Sequence, residues 1–245
     1  MGLKVFREKI INMFGKEKTE EWEKDINKIK LDFQTFMEMN NITFEKEGVS
    51  EIFKDKEEMN PEQVKNLYVN NKSMIQSYLG HYPMHTEELI TNVDIKKDAK
   101  ILSFGAGVAN NLLYLEKLGF TNLYYYEPSK ICNKFVEFLI KKNSSKIKML
   151  SRLGDNIGGD YDVILMIDVM EHIPNYKEVY EDLFSRLKSG GYVFDGKHFN
   201  PKGTGKGSFH YEEDYPVVKI MEENNMKHII HGVYQKEKME DNENE

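Results

Sequence analysis

Two hydrophobic patterns divide the chain. In the first ~95 residues, apolar positions recur at helical spacing. Trp22, Ile26, Ile29, Phe33 and Phe36 step by four, three, four and three, a single helix stripe with charges on the other faces. Such a stripe packs against the rest of its own protein, or else forms a seam for a partner helix or a second copy. Asn60 followed by Pro61 reads as a helix start. That helix is expected to run through Val64, Leu67, Tyr68 and Ile75 to Tyr78 and to end at Gly80. Pro83 opens another short helix in HYPMHTEELITNV.

From Lys100 the pattern changes to short apolar runs of strand length alternating with helical stretches. AKILSF, NLYYYE, KIKML, YDVILMID and YVFDG read as strands. ANNLLYLEKLG, PSKICNKFVEFLIKKN, NYKEVYEDLFSRLKSGG and EEDYPVVKIMEENN read as helices, the third with a glycine stop and the last bent at Pro216. KHIIHGVYQKE makes a last strand, either one long strand or two short ones around Gly232; with one strand missing, the exposed sheet edge is open to a second copy. The expected fold class is α/β, a doubly wound and mostly parallel sheet of the seven-stranded type. Residues 1–95 form a helical extension, a candidate lid, substrate-binding or oligomerisation segment. Residues 96–236 form the sheet domain, and 237–245 an acidic disordered tail.

ILSFGAGVANNLLYLEKLGF, residues 101–120, is a buried strand, a glycine turn and a helix. In an open α/β sheet, ligands bind beyond the carboxyl ends of the strands, where this turn lies. Gly105 and Gly107 permit a tight backbone and close approach, and the helix start offers free N–H groups. Glu127, 22 residues after Gly105, ends the second strand, where a carboxylate can accept from both hydroxyls of a ribose. A dinucleotide site wants G-x-G-x-x-G, and Asn110 stands at its last position.

The motifs SFGAGVA, YYYEPS, YDVILMIDVMEHIPN and LKSGGYVFDG occur in the order and spacing of a known family. Residues 100–195 resemble the class I S-adenosylmethionine-dependent methyltransferases, with their Rossmann-like fold. The resemblance implies that Gly105, Ala106 and Gly107 line the methionine end of S-adenosylmethionine. It further implies that Glu127 holds the ribose, Pro128 flanks the adenine and Asp168 contacts the cofactor. Asp155, in the loop after the third strand, is a looser adenine candidate. Two departures stand out. Ser103 occupies the place of the acid that helps hold the methionine ammonium, and Ala109 replaces the third glycine, a change tolerable if its backbone keeps a common conformation.

Methyl transfer requires alignment of nucleophile and methyl group and, for some substrates, removal of a proton. Asp168, Glu171 and His172 have i, i+3, i+4 spacing, so they can share one helical face. His172 is the candidate base. A metal site completed by His198 or His210 is an alternative, and a structural Glu171–His172 hydrogen bond is the favoured reading of that pair. His198 follows the fifth strand and is the second catalytic candidate, with His210 and Tyr211 as further base or substrate contacts and Lys202 and Lys206 as anion contacts. Tyr68, Tyr78, His81, Tyr82 and His85 lie on the part of the extension that must pass close to the first strand and fold over the cofactor as a lid.

Composition narrows the partners. A net charge of −7 argues against a phosphate-backbone grip. The single cysteine, Cys132, excludes an internal disulfide and a cysteine-rich zinc site. No signal peptide or spanning segment is read, so a cytoplasmic protein without membrane contact is expected. The leading expectation is methylation of an oxygen or nitrogen of a small molecule, with nucleic acid disfavoured. The alternatives are aminocarboxypropyl transfer from the same cofactor and a non-catalytic partner-binding subunit of this fold. A homodimer through the N-terminal helices or a sheet edge is a further expectation.

Overall fold

The computed structural model describes residues 3–43, 61–70, 72, 74–150, 159–196 and 217–238. Helices α1 (Leu3–Phe14), α2 (Lys16–Met39), α3 (Pro61–Asn70), α4 (Met74–Tyr78) and α5 (Met84–Asn92) precede the sheet. Then follow β1 (Lys100–Phe104), α6 (Asn110–Lys117), β2 (Asn122–Tyr126), α7 (Lys130–Asn143), β3 (Lys148–Met149) and β4 (Tyr161–Ile167). A 3-10 turn at Met170–His172 leads into α8 (Tyr176–Ser185), β5 (Leu187–Gly196), α9 (Val217–Glu223), β6 (Met226–Ile230) and β7 (Val233–Lys236).

The seven strands run in the order β3-β2-β1-β4-β5-β7-β6. The first five pair in parallel, and β7 is antiparallel to both β5 and β6. Alternation along β1 shows how the sheet divides its cores. Leu102 and Phe104 face the cluster that holds Tyr180, Phe184 and Ile220, whereas Ile101 faces Leu112, Leu123 and Val136. Helices therefore cover both faces, and β4 is apolar from Val163 to Ile167, with Val163, Ile164, Leu165 and Met166 all buried.

Two local readings change and one open reading is decided. Two helices stand where one was expected, α3 ending at Asn70 and α4 starting at Met74; an Asn side chain competes for the backbone bonds a helix needs. The glycines of LKSGG do not stop a helix. Helix α8 ends at Ser185, and β5 begins irregularly, pairing Tyr161 with Leu187 and then Val163 with Tyr192. The extra residues are taken up around Gly190, at φ 77°. The last apolar run is two strands, the second of the two readings, hinged at Gly232 with φ 72°. Gly232 carbonyl oxygen accepts from the Asp195 amide at 2.7 Å, and a Cβ there would lie 3.1 Å from the Asp195 carbonyl oxygen.

The stripe on α2 is spent inside the chain. Trp22 is 1% exposed and meets Tyr114 of α6 edge-on, and Phe33 and Phe36 pack against Phe135 of α7. Lys117 pairs with Glu21 and Asp25, Lys142 with Asp32, and Lys18 with Glu87, so ion pairs rim the contact. Leu89 and Val93 of the extension belong to the same buried cluster as Ile101 and Leu112. Among the described residues, no helix is long and apolar enough to cross a membrane.

Since the extension and the sheet share cores, they are expected to unfold together. The one tryptophan, Trp22, reports the extension, and far-ultraviolet circular dichroism reports the whole. Phe135→Ala should lower stability by about 3–5 kcal/mol and shift both urea transitions equally; a shift in only one would show two independent units.

Candidate functional site

The chain leaves β1 towards β2 and β3 and returns to β4 on the other side, so a crevice opens at the carboxyl ends of β1 and β4. The turn Gly105–Ala109 sits there. Gly105 and Gly107 have φ of 66° and 51°, which glycine adopts without a Cβ clash. A Cβ on Gly105 would come within 2.6 and 2.7 Å of the two methyls of Val169, and one on Gly107 would lie 3.1 Å from Tyr78 Cγ. Ala109 is also left-handed, at φ 64°. Its backbone is therefore not the common conformation expected, at a cost of about 1–2 kcal/mol. Its methyl is buried in the cluster with Leu112 and Leu115.

Glu127 holds the turn in place. Its Oε2 accepts from the Gly107 amide and its Oε1 from the Ser129 amide, both at 2.9 Å. Asn133 Nδ2 donates to the Glu127 carbonyl oxygen at 2.8 Å, and the Tyr125 hydroxyl donates to the Gly107 carbonyl oxygen at 2.8 Å. Burial pushes the Glu127 carboxyl above its ordinary pKa, against the pull of the two amides that stabilise the anion.

A cavity of about 820 Å³ lies beside this turn. Gly105, Ala106, Gly107, Glu127 and Pro128 line it, as do Asp168, His172 and, at the end of β1, Ser103. The sequence thus brings these residues together. Glu171 departs from them: it is fully buried and is not among the cavity's lining residues, and its charge is felt by Tyr180. The helical spacing fails because Asp168 takes φ 53° before the 3-10 turn begins. Among the described residues, no group of three potential metal ligands occurs. His198, His210, Tyr211, Lys202, Lys206 and Asp155 lie outside the described residues.

The opposite wall comes from the extension. Tyr68, Tyr78, His81, Tyr82 and His85 all line the cavity. The Tyr68 hydroxyl is 3.0 Å from His172 Nδ1, a contact that sequence spacing could not reveal because 104 residues separate the pair. The segment from Tyr78 to Thr86, a strap that joins α4 to α5, is held by the first turn of α6. Asn110 Nδ2 donates to the carbonyl oxygens of Tyr78 and His81, each at 3.1 Å, and the Thr86 hydroxyl donates to Asn111 Oδ1 at 2.8 Å. His81 is exposed into the cavity it lines; desolvation by the protein around it lowers its pKa, with Asp168 pulling the other way.

Gly105→Ala should destabilise the protein by about 1–3 kcal/mol through its left-handed φ and its clash with Val169. Adding Val169→Ala should recover part of the loss in thermal unfolding; no recovery would remove Val169 from the account. Because the folded-state pKa of His81 lies below its usual 6.5, the unfolded chain takes up the proton first. The stabilising effect of its neutral form is complete above pH 6.5 and is lost as pH falls through the window below it. His81→Asn should therefore flatten the fall in stability between about pH 7 and pH 5, measured by urea denaturation.

Comparison with known proteins agrees with this geometry. A family described as "Methyltransferase domain" matches residues 78–200, which include the strap end, the turn, Glu127 and His172. No curated protein matches the sequence. A phosphoethanolamine N-methyltransferase of Haemonchus contortus, solved with phosphomonomethylethanolamine and S-adenosylhomocysteine, superposes with a TM-score of 0.53 at 14% identity, over 60% of this chain and 38% of its own. The YcgJ protein of Bacillus subtilis gives a TM-score of 0.49 at 10% identity, over 59% of this chain and 68% of its own. With the family matched over just over half of its length and a seven-stranded sheet of this topology beneath the match, the chain belongs to the class I S-adenosylmethionine-dependent methyltransferase superfamily.

Proposed function

We propose that this protein transfers a methyl group from S-adenosylmethionine to an oxygen or nitrogen of a small molecule. The observation that carries this reading is the carboxylate of Glu127, fixed at the cavity wall by two backbone amides. A carboxylate offers about four acceptor positions; the two amides use two, and two are left for the vicinal hydroxyls of a ribose. The residues therefore fit the cofactor. Gly105, Ala106 and Gly107 line its methionine end, Pro128 flanks the adenine, and Asp168 contacts it from the end of β4. When bound, the cofactor supplies an electrophilic methyl group on a sulfonium.

The chain's own residues do the rest. Tyr68, Tyr78, Tyr82 and His81 enclose the substrate and exclude water. His172 is the proton acceptor for the nucleophile. For its Nε2 to carry the free lone pair, Nδ1 must bear the hydrogen and donate to the Tyr68 oxygen, which selects one tautomer. His198 is a second base candidate on the loop after β5.

Calorimetric titration with S-adenosylhomocysteine tests the cofactor reading, with NAD as control. Micromolar binding that weakens at least tenfold in Glu127→Ala supports it; equal binding by the variant, or preference for NAD, defeats it. Turnover tests the reaction. Methyl transfer leaves S-adenosylhomocysteine, whereas methylthioadenosine as the product would establish aminocarboxypropyl transfer instead. His172→Ala should then lower kcat about 100-fold or more with little change in cofactor affinity.

A further inference from the structure

The strap places one histidine, His81, over the crevice. The carbonyl oxygens of Tyr78 and His81 accept from Asn110 Nδ2, each at 3.1 Å, and the His81 amide donates to the Tyr78 carbonyl oxygen at 3.4 Å. The backbone that carries the His81 ring is thus tied to the first turn of α6. The ring stands edge-on to that of Tyr78, with centroids 6.2 Å apart. Tyr78 in turn covers the glycine turn, its Cγ 3.1 Å from the position of a Gly107 Cβ. From the β4 side, the charge of Asp168 reaches His81. The imidazole is therefore bracketed by the two strand ends that make the crevice, those of β1 and β4. It is exposed into the cavity, and among the described residues nothing bonds to its ring nitrogens. Because the surrounding protein disfavours its charged form, the ring offers a lone pair at neutral pH. His172 lines the same cavity from the turn after β4.

We propose that His81 is a second catalytic residue, and that the nucleophile held between His81 and His172 is an amine nitrogen. One hydrogen of the neutral amine bonds to His81, from the strap, and another to His172. With both hydrogens held, the nitrogen lone pair is kept in line with the methyl carbon. That lone pair forms the new nitrogen–carbon bond. The carbon–sulfur bond breaks, and its electron pair goes to sulfur. The methylated nitrogen then gives one proton to His172, while His81 keeps the other hydrogen and Asp168 offsets the positive charge on nitrogen. A hydroxyl has a single hydrogen and satisfies one of the two imidazoles. This inference rests on the cofactor reading above and narrows its nucleophile to nitrogen.

The experiment uses sinefungin, an analogue of S-adenosylmethionine with an amine where the transferable methyl group stands, and S-adenosylhomocysteine, which has nothing there. Calorimetry gives the ratio of their dissociation constants, in which general damage to the pocket cancels. The wild type should prefer sinefungin. His81→Ala should shrink that preference about tenfold, and so should His172→Ala. His81→Gln keeps a side-chain oxygen as acceptor and should retain most of the preference. Glu127→Ala should weaken both ligands and leave their ratio unchanged. In turnover, the product should carry its new methyl group on nitrogen, and His81→Ala should lower kcat about 100-fold with little change in the KM for S-adenosylmethionine. Equal binding of the two ligands by the wild type, an unchanged preference in His81→Ala, or a product methylated on oxygen would overturn the proposal. If neither ligand binds the wild type, the cofactor reading itself fails.

Discussion

The ligand-facing end of the sheet depends on one tie, the carboxylate of Glu127 between the amides of Gly107 and Ser129. A buried carboxylate is costly unless its charge is met by donors, and here both donors belong to backbone that would otherwise be free to move. The same contacts set the spacing between the β1 turn and the end of β2. The Tyr125 hydroxyl bonds the Gly107 carbonyl oxygen, so both polar groups of that glycine are fixed by the second strand. Burial raises the Glu127 pKa, and the two amides counter it by solvating the anion.

Much of the fold was legible in the chain because its period changes at Lys100. The apolar run Val163–Ile167 of β4 needs two covered faces, and the alternating helices supply them. The α2 stripe was legible for the same reason, as no polar surface could hold Trp22, Phe33 and Phe36 together. What was not legible depended on geometry that spacing does not encode. The glycines of LKSGG are good helix stops in isolation, but pairing of Leu187 with Tyr161 pulls them into a strand. Gly232 could be named as a break in the last apolar run, but not that the Asp195 amide takes its carbonyl oxygen.

The site shows the same division. Gly105, Gly107 and Glu127 could be read from sequence because each occupies a strand terminus that topology fixes. Glu171 could not, because helical spacing was assumed across Asp168, whose positive φ reorients everything after it. Tyr68 and Asn110 gave no spacing signal toward their partners, since the pairs form across 104 residues for Tyr68–His172 and 32 and 29 for Asn110. Ala109 illustrates a different limit. Sequence shows the substitution, yet the turn imposes the left-handed conformation even without glycine, and burial of the methyl beside Leu112 helps offset the strain.

The extension differs in how firmly its parts are held, and this bears on how a ligand enters. Helix α2 presses a stripe of nearly inaccessible aromatic and aliphatic side chains onto α6 and α7, so freeing it would expose much of a core. By contrast, Leu67, Tyr68 and Val69 of α3 are only half-buried. Its Tyr68 reaches the sheet domain through a hydrogen bond to a cavity residue, His172. Local opening takes place where few apolar contacts must be broken. The physical order is therefore a fixed α2, a strap end pinned by Asn110, and a weaker α3 between them. Opening of the cavity is therefore expected at α3 before the aromatic cluster under α2 is disturbed.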